Sequence, residues 1–365
     1  MFRKILPFLL GFALFATACG REGESLDTYE IDGYSTGFFE GKAVLYRLAD
    51  GKLVPEDSVM VKKSRFKFKK HKVEYPQMMF LIFGENEAMV ELFIENKRMR
   101  LNVDLNKPEK TELSGSEMHE AYMKFLDNNT VFSSKIDKIS SEISNAEGDT
   151  SDIEVLEIEL AALQNEQQKF MINYLKDNPS SYVSGHVILA SLSTELPADS
   201  LQIVYEILSE NLKTSGYGRD INAKIASKKR IEIGVQAPDF SLPDNKGQVV
   251  SLVSKQGRKI LIHFWASWCG VCRTETPELR KIYAENDSTR LEIITIAADS
   301  DYSRWLKVTS ADGMAWTQLS DMKGMDSEIL KQYNIKQLPY YFLLDEKGRI
   351  MAKSDKLKSI LPLLK

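Results

Sequence analysis

Ile260-Leu261-Ile262-His263-Phe264-Trp265-Ala266-Ser267-Trp268-Cys269-Gly270-Val271-Cys272-Arg273 is an apolar run that ends abruptly at two cysteines three positions apart. A short run with apolar residues at both odd and even positions predicts a strand buried on both faces. The cysteines then stand where a helix begins, over residues 271–286. Unpaired N–H groups and the positive end of the helix dipole favour a thiolate on the first cysteine, and the spacing lets the second sulfur turn back to it. Such a pair exchanges disulfides in two steps: Cys269 forms a mixed disulfide and Cys272 resolves it. Zinc is the competing use of two cysteines, but it needs about two more ligands at suitable spacing. The chain offers no second cysteine pair, and its four histidines are scattered at 71, 119, 186 and 263.

Around this segment strands alternate with helices, which predicts an α/β domain with a parallel or mixed sheet. It starts near Ile233-Gly234-Val235-Gln236-Ala237-Pro238-Asp239-Phe240. Residues 259–264 and 291–297 read as buried strands, and 340–344 with 350–353 as a hairpin turning at Glu346-Lys347-Gly348. An amphipathic helix over 355–364 closes the domain. Glu275 lies one helical turn beyond Cys272, where a carboxylate can handle that thiol's proton; otherwise it is an exposed helical glutamate.

Upstream the pattern becomes helical. Met118, Ala121, Tyr122, Phe125 and Leu126 share one face, followed by a polar stretch over 140–151. Ile153, Leu156, Leu160, Leu163, Phe170 and Tyr174 form a second stripe, with Ser151 and Glu154 as a capping box and Asn178-Pro179 as the stop. Leu201, Val204, Tyr205, Leu208 and Leu212 give a third helix after Asp199. These stripes serve either a partner surface or packing against their own neighbours. Further upstream, residues 29–113 alternate with period two, as in Ala43-Val44-Leu45-Tyr46, Arg65-Phe66-Lys67-Phe68, Met79-Phe80-Leu81-Ile82-Phe83, Val90-Glu91-Leu92-Phe93-Ile94 and Met99-Arg100-Leu101-Asn102-Val103. Turn signals at Asp50-Gly51, Gly84-Glu85-Asn86 and Glu95-Asn96-Lys97 separate them, predicting a small antiparallel β domain of sandwich type.

At the start, Arg3 and Lys4 precede an apolar run over 5–15 that is too short to span a bilayer, as in a secretory signal. Phe15-Ala16-Thr17-Ala18-Cys19-Gly20 resembles a bacterial lipobox, with Ala16 where leucine is more usual, and implies lipidation at Cys19. A plain signal with an incidental cysteine is the alternative. Three cysteines are an odd number, and lipidation of Cys19 would leave one redox pair. With 365 residues, 43% hydrophobic and 27% charged, the chain has the composition of a folded protein of more than one domain. A formal net charge of −4 offers no basic field for nucleic acid.

The stretch from Phe264 to Cys272 is similar to the active-site motif of the thioredoxin superfamily. Ala237-Pro238-Asp239-Phe240 and Arg273-Thr274-Glu275-Thr276-Pro277 look like the envelope thiol-disulfide oxidoreductases of the TlpA/ResA type. The resemblance covers residues 233–365, about a third of the chain. It implies that Pro277 kinks the active-site helix and that Pro339, in Gln337-Leu338-Pro339-Tyr340-Tyr341, is a cis-proline facing the cysteines and offering backbone groups to substrate. It implies a catalytic glutamate at Glu275. Trp265 and Trp268 are expected to pack beside the cysteines, with Trp268 shaping the approach surface; plain core packing is the alternative for Trp265. His263 departs from the pattern, since thioredoxins carry a buried aspartate there; it either replaces that proton acceptor or is a core histidine satisfied by a neighbour. Tyr29-Glu30-Ile31-Asp32-Gly33 and Phe93-Ile94-Glu95-Asn96 resemble the opening and end of a β-rich domain found in lipoproteins of the Bacteroides group.

The expected organisation is multidomain: a lipoprotein signal over 1–18, a tether over 19–28, an N-terminal antiparallel β domain over 29–113, a helical middle segment over 114–230 and a C-terminal α/β thioredoxin fold over 231–365. The expected activity is reduction or isomerisation of disulfides, with no cofactor. Its partners would be disulfide-containing envelope proteins and a thiol electron donor, with a lipid anchor at Cys19 on the periplasmic side of the outer membrane. Two other readings are a thiol peroxidase, for which the upstream proline and threonine frame is missing, and a surface adaptor whose β domain binds a partner or glycan.

Overall fold

The computed structural model describes residues 22–49, 51–84, 89–145, 150–287 and 289–364. The expected signal, Cys19 and the turn residues Asp50, Glu85 and Asn86 lie outside them. The chain divides into two compact units: one extends up to Leu192 and includes Ile207–Gly218, the other comprises Ser193–Glu206 and the chain from Arg219 onward.

In the first unit eight strands form one sheet: β1 (Tyr29–Thr36), β2 (Glu40–Ala49), β3 (Lys52–Lys62), β4 (Arg65–His71), β5 (Gln77–Phe83), β6 (Met89–Ile94), β7 (Arg98–Asp104) and β8 (Glu112–Ser114). Their order is β6-β5-β2-β3-β4-β1-β7-β8. The pair Lys62–Arg65 alone is registered between β3 and β4, and Phe66 of β4 meets Phe83 of β5 edge-on at 5.6 Å, so the sheet folds over and its two parts pack face to face, as the expected sandwich would. The pairing is antiparallel except between β1 and β7, which run parallel. Period-two alternation reports that one face is buried. That face carries Ile31, Ala43, Leu45, Phe68, Leu81, Phe83 and Leu101, all without solvent exposure. Near its end β6 is buried on both faces, because helix α1 (Glu117–Asn145) covers Phe93.

Ser116 caps α1, its Oγ accepting from the His119 N–H at 3.0 Å. Helix α2 (Thr150–Asp177) packs back on α1 through Phe125, Phe132, Phe170 and Tyr174. Ser151 already has helical backbone, so it is not the expected cap, which needs a non-helical residue. The polar stretch is also partly helix, since α1 runs on to Asn145. The expected third helix is broken into Ala198–Glu206 and Glu210–Thr214, with a further helix over Gly216–Lys229. Leu201, Val204, Tyr205, Leu208 and Leu212 are all buried as their spacing suggested.

The second unit is built on a five-stranded sheet of order β13-β12-β11-β14-β15. Its strands are β11 (Lys259–Trp265), β12 (Leu291–Ala297), β13 (Thr317–Leu319), β14 (Tyr340–Leu344) and β15 (Ile350–Ser354), preceded by a small hairpin of β9 (Ser241–Pro243) and β10 (Val249–Ser251). The central β11 is parallel to β12 and antiparallel to β14. From Ile260 to Trp265 it is wholly buried, as a doubly covered strand must be. The closing helix is shorter than its apolar pattern suggests: one turn over Leu357–Ile360 passes into a 3₁₀ turn over Leu361–Leu363, because Pro362 has no N–H to continue an α-helix.

Candidate active site at the Cys269–Cys272 pair

Strand β11 delivers the chain to the start of the helix Gly270–Glu285, and Cys269 is the residue that caps it. Its Sγ accepts from the Cys272 N–H at 3.2 Å, using one of the donors that a helix start leaves free. The two cysteines are joined as a disulfide with Cα atoms 5.4 Å apart. Their exposures differ in the sense that exchange chemistry needs. Cys269 keeps 7% of its surface and Cys272 none, so the first is the less enclosed of two buried cysteines. Arg273 is not available to either sulfur, since its guanidinium forms a two-pronged pair with Asp312 at 2.7 and 2.8 Å, which raises its pKa.

The loop in front of the cysteines is fixed from β12. The buried Asp299 carboxylate accepts from the Ser267 N–H at 2.9 Å and from its hydroxyl at 2.5 Å. Trp268 donates its Nε1–H to the Ala298 carbonyl at 3.2 Å while half of the residue remains exposed. Its ring is thus held beside Cys269 as an open apolar surface. Trp265, by contrast, is wholly buried.

On the other side of β11, antiparallel pairing sets His263 against Tyr341 and Phe264 against Tyr340. Pro339, one residue earlier, therefore stands at the end of β11 from which the chain leaves for Cys269, and the Leu338–Pro339 bond is cis. Glu275, one turn past Cys272, is half-buried. Its Oε2 accepts from the Tyr341 hydroxyl at 2.6 Å and its Oε1 from the Leu357 N–H at 3.3 Å. It is not the exposed helical glutamate that was the alternative. Pro277 lies inside the same helix.

His263 fits neither of its expected descriptions. Neither ring nitrogen has a hydrogen-bond partner, so it is not a satisfied core histidine. Burial pushes its pKa down to about 3, so it stays neutral and is a poor stand-in for a proton-accepting aspartate. Its ring lies flat on Tyr341, with centroids 4.5 Å apart and planes 9° from parallel.

Asp299 and Tyr341 are the residues that sequence reasoning missed. Asp299 had a faint signal, as an acidic residue directly after the buried run over 291–298; Tyr341 had none, because only strand register reveals its neighbours. Among the described residues no group of three or more histidine, cysteine, aspartate or glutamate side chains could hold a metal ion.

Comparison with known proteins matches this architecture. Residues 233–353 match the AhpC/TSA family, and residues 29–122 match a domain of unknown function, DUF4369. The thioredoxin-like protein YneN of Bacillus subtilis is 34% identical over 129 residues, which cover 34% of this chain and 73% of that protein. The chain belongs to the thioredoxin-like family of thiol-disulfide oxidoreductases. The thiol-disulfide oxidoreductase ResA of Bacillus subtilis is 27% identical to the thioredoxin-like domain over 130 residues, covering 36% of this chain and 71% of that one. Among solved structures, the C-terminal domain of a putative thiol-disulfide oxidoreductase from Bacteroides thetaiotaomicron is 34% identical, with a TM-score of 0.34 over 37% of this chain and 97% of that one. The relatives named here cover about a third of this chain, and the β-rich domain is matched separately.

Proposed function

We propose that the protein reduces or isomerises disulfides of envelope proteins through Cys269 and Cys272, drawing electrons from a separate thiol carrier. The observation that carries this is the asymmetry of the pair: the less buried cysteine at a helix N-cap, beside an exposed tryptophan, with its partner fully buried. Cys269 in thiolate form attacks a client disulfide, and Cys272 then displaces the client from the mixed disulfide. Glu275 takes the Cys272 proton, Trp268 forms the approach surface, and the loop at Pro339 offers backbone groups to an extended client. The apolar run before Cys19 and its lipobox-like end support export and lipid anchoring, with the periplasmic face of the outer membrane as the site of action. Among the described residues no helix is long and apolar enough to cross a membrane.

Replacing Cys269 with serine is expected to abolish turnover of a protein disulfide, whereas Cys272→Ser is expected to accumulate mixed disulfides that survive acid quenching. Equal activity in both variants refutes the assignment. The reduction potential of the pair fixes the direction: a value near about −270 mV marks a reductase, and one near about −120 mV an oxidase.

A further inference from the structure

We propose that Tyr341 is a positioning residue for the resolving half of the exchange: its hydroxyl, braced by His263, holds the Glu275 carboxylate in the orientation that receives the Cys272 proton. This rests on the role given to Glu275 above.

A glutamate side chain on a helix surface has several rotatable bonds and is not oriented by the helix alone. Here the carboxylate is held by two donors from outside that helix, the Tyr341 hydroxyl on β14 and the Leu357 N–H that follows β15. Tyr341 is itself immobile. It is buried without exposure, it pairs with His263 across the β11–β14 ladder, and its ring is stacked on the imidazole. Burial, the hydrogen bond to Glu275 and the charge of that carboxylate all raise the pKa of the phenol. The hydroxyl therefore stays protonated and donates at every working pH. The imidazole, neutral and unpartnered, adds a flat surface and no competing charge. Glu275 and Cys272 are three residues apart in one helix, the fully buried cysteine and the half-buried glutamate falling on neighbouring positions of adjacent turns.

The chemistry balances as follows. The Cys269 thiolate attacks one client sulfur; the other client sulfur leaves as a thiolate and takes a proton from solvent. Cys272 gives its proton to Glu275, and its thiolate attacks the Cys269 Sγ, forming the protein disulfide. The client sulfur that was bound to Cys269 leaves as a thiolate and takes the proton back from Glu275. Two electrons pass from the cysteine pair to the client, and the carboxylate ends as it began.

The test uses the full-length reduced protein and 5,5′-dithiobis(2-nitrobenzoic acid), which releases one coloured thiolate when Cys269 attacks and a second when Cys272 resolves. In Tyr341→Phe the first phase is expected to stay within about twofold of the parent, while the second slows about tenfold, the size expected on losing a hydrogen bond to a charged group. Glu275→Gln is expected to slow the second phase at least as much, and the double variant to be no slower than Glu275→Gln alone. A second phase unchanged in Tyr341→Phe but slowed in Glu275→Gln overturns the role of Tyr341 and leaves that of Glu275 standing. If Glu275→Gln is itself unchanged, the proton-acceptor reading fails and this inference with it. A further slowing in the double variant shows Tyr341 acting by another route, and equal slowing of both phases shows general loosening; either result overturns the proposal.

Discussion

A buried carboxylate is tolerated only when its oxygens are satisfied, and Asp299 meets that condition through Ser267 alone among the side chains. Removing it leaves the Ser267 donors unpaired two residues before Cys269. Asp299→Ala is expected to cost about 1.5–3 kcal/mol in urea unfolding. It should also change the rate at which reduced Cys269 is alkylated; an unchanged rate would mean that the loop does not depend on this anchor. The same contrast shows what a sequence can disclose about a site. Cys269, Cys272 and Glu275 carry their meaning in local spacing and Pro339 in the family resemblance, and the structure gathers them around the end of β11 that leads to Cys269. Asp299 and Tyr341 enter only through pairing of β11 with β12 and β14, a non-local fact that no spacing encodes. The orphaned nitrogens of His263 belong to the same class, since an apolar run says that a histidine is buried but not whether anything faces it.

At the scale of elements, strand patterns were read more faithfully than helix lengths: the hairpin of β14 and β15 was found where expected, while the third and closing helices were shorter than their stripes. β11 and β12 were legible because runs that are mostly apolar at both odd and even positions have few alternatives. β13 and the helix Glu328–Gln332, of three and five residues, are shorter than the period needed to announce them. The parallel β1–β7 pairing was hidden for another reason, that it joins segments about seventy residues apart. Between β3 and β4 the chain reverses through Lys63 and Ser64, with φ of 51° and 62°. Two left-handed residues in succession form a turn that matches strand twist but disfavours side chains. Ser64→Gly is therefore expected to raise the stability of the first unit by about 0.5–1 kcal/mol in urea unfolding, with its backbone bonds to Phe39 and Ser35 retained. A loss of stability would show that the serine side chain contributes more than its backbone strain costs.

For the molecule as a whole, three of the four histidines are held far below their ordinary pKa by burial: His119 and His186 at about 4 in the first unit, His263 at about 3 in the second. The unfolded chain takes up these protons below about pH 6.5, while the folded chain refuses them. Their contribution to stability is thus complete above pH 6.5 and is lost as pH falls toward 4 and 3. Between pH 6.5 and 5 each histidine should cost about 2 kcal/mol, in a window above most carboxylate titrations. Urea unfolding across that range checks this, and His263→Leu should flatten the response of the second unit only; a response equally steep in the variant counts against it. The chain crosses between the two units three times, at 192/193, 206/207 and 218/219, and the last crossing falls inside the helix Gly216–Lys229. To a protease or a genetic engineer the consequence is that no single cut sorts the chain into its two units: whichever peptide bond is severed, one of the separated pieces carries away a strip that belongs to the other.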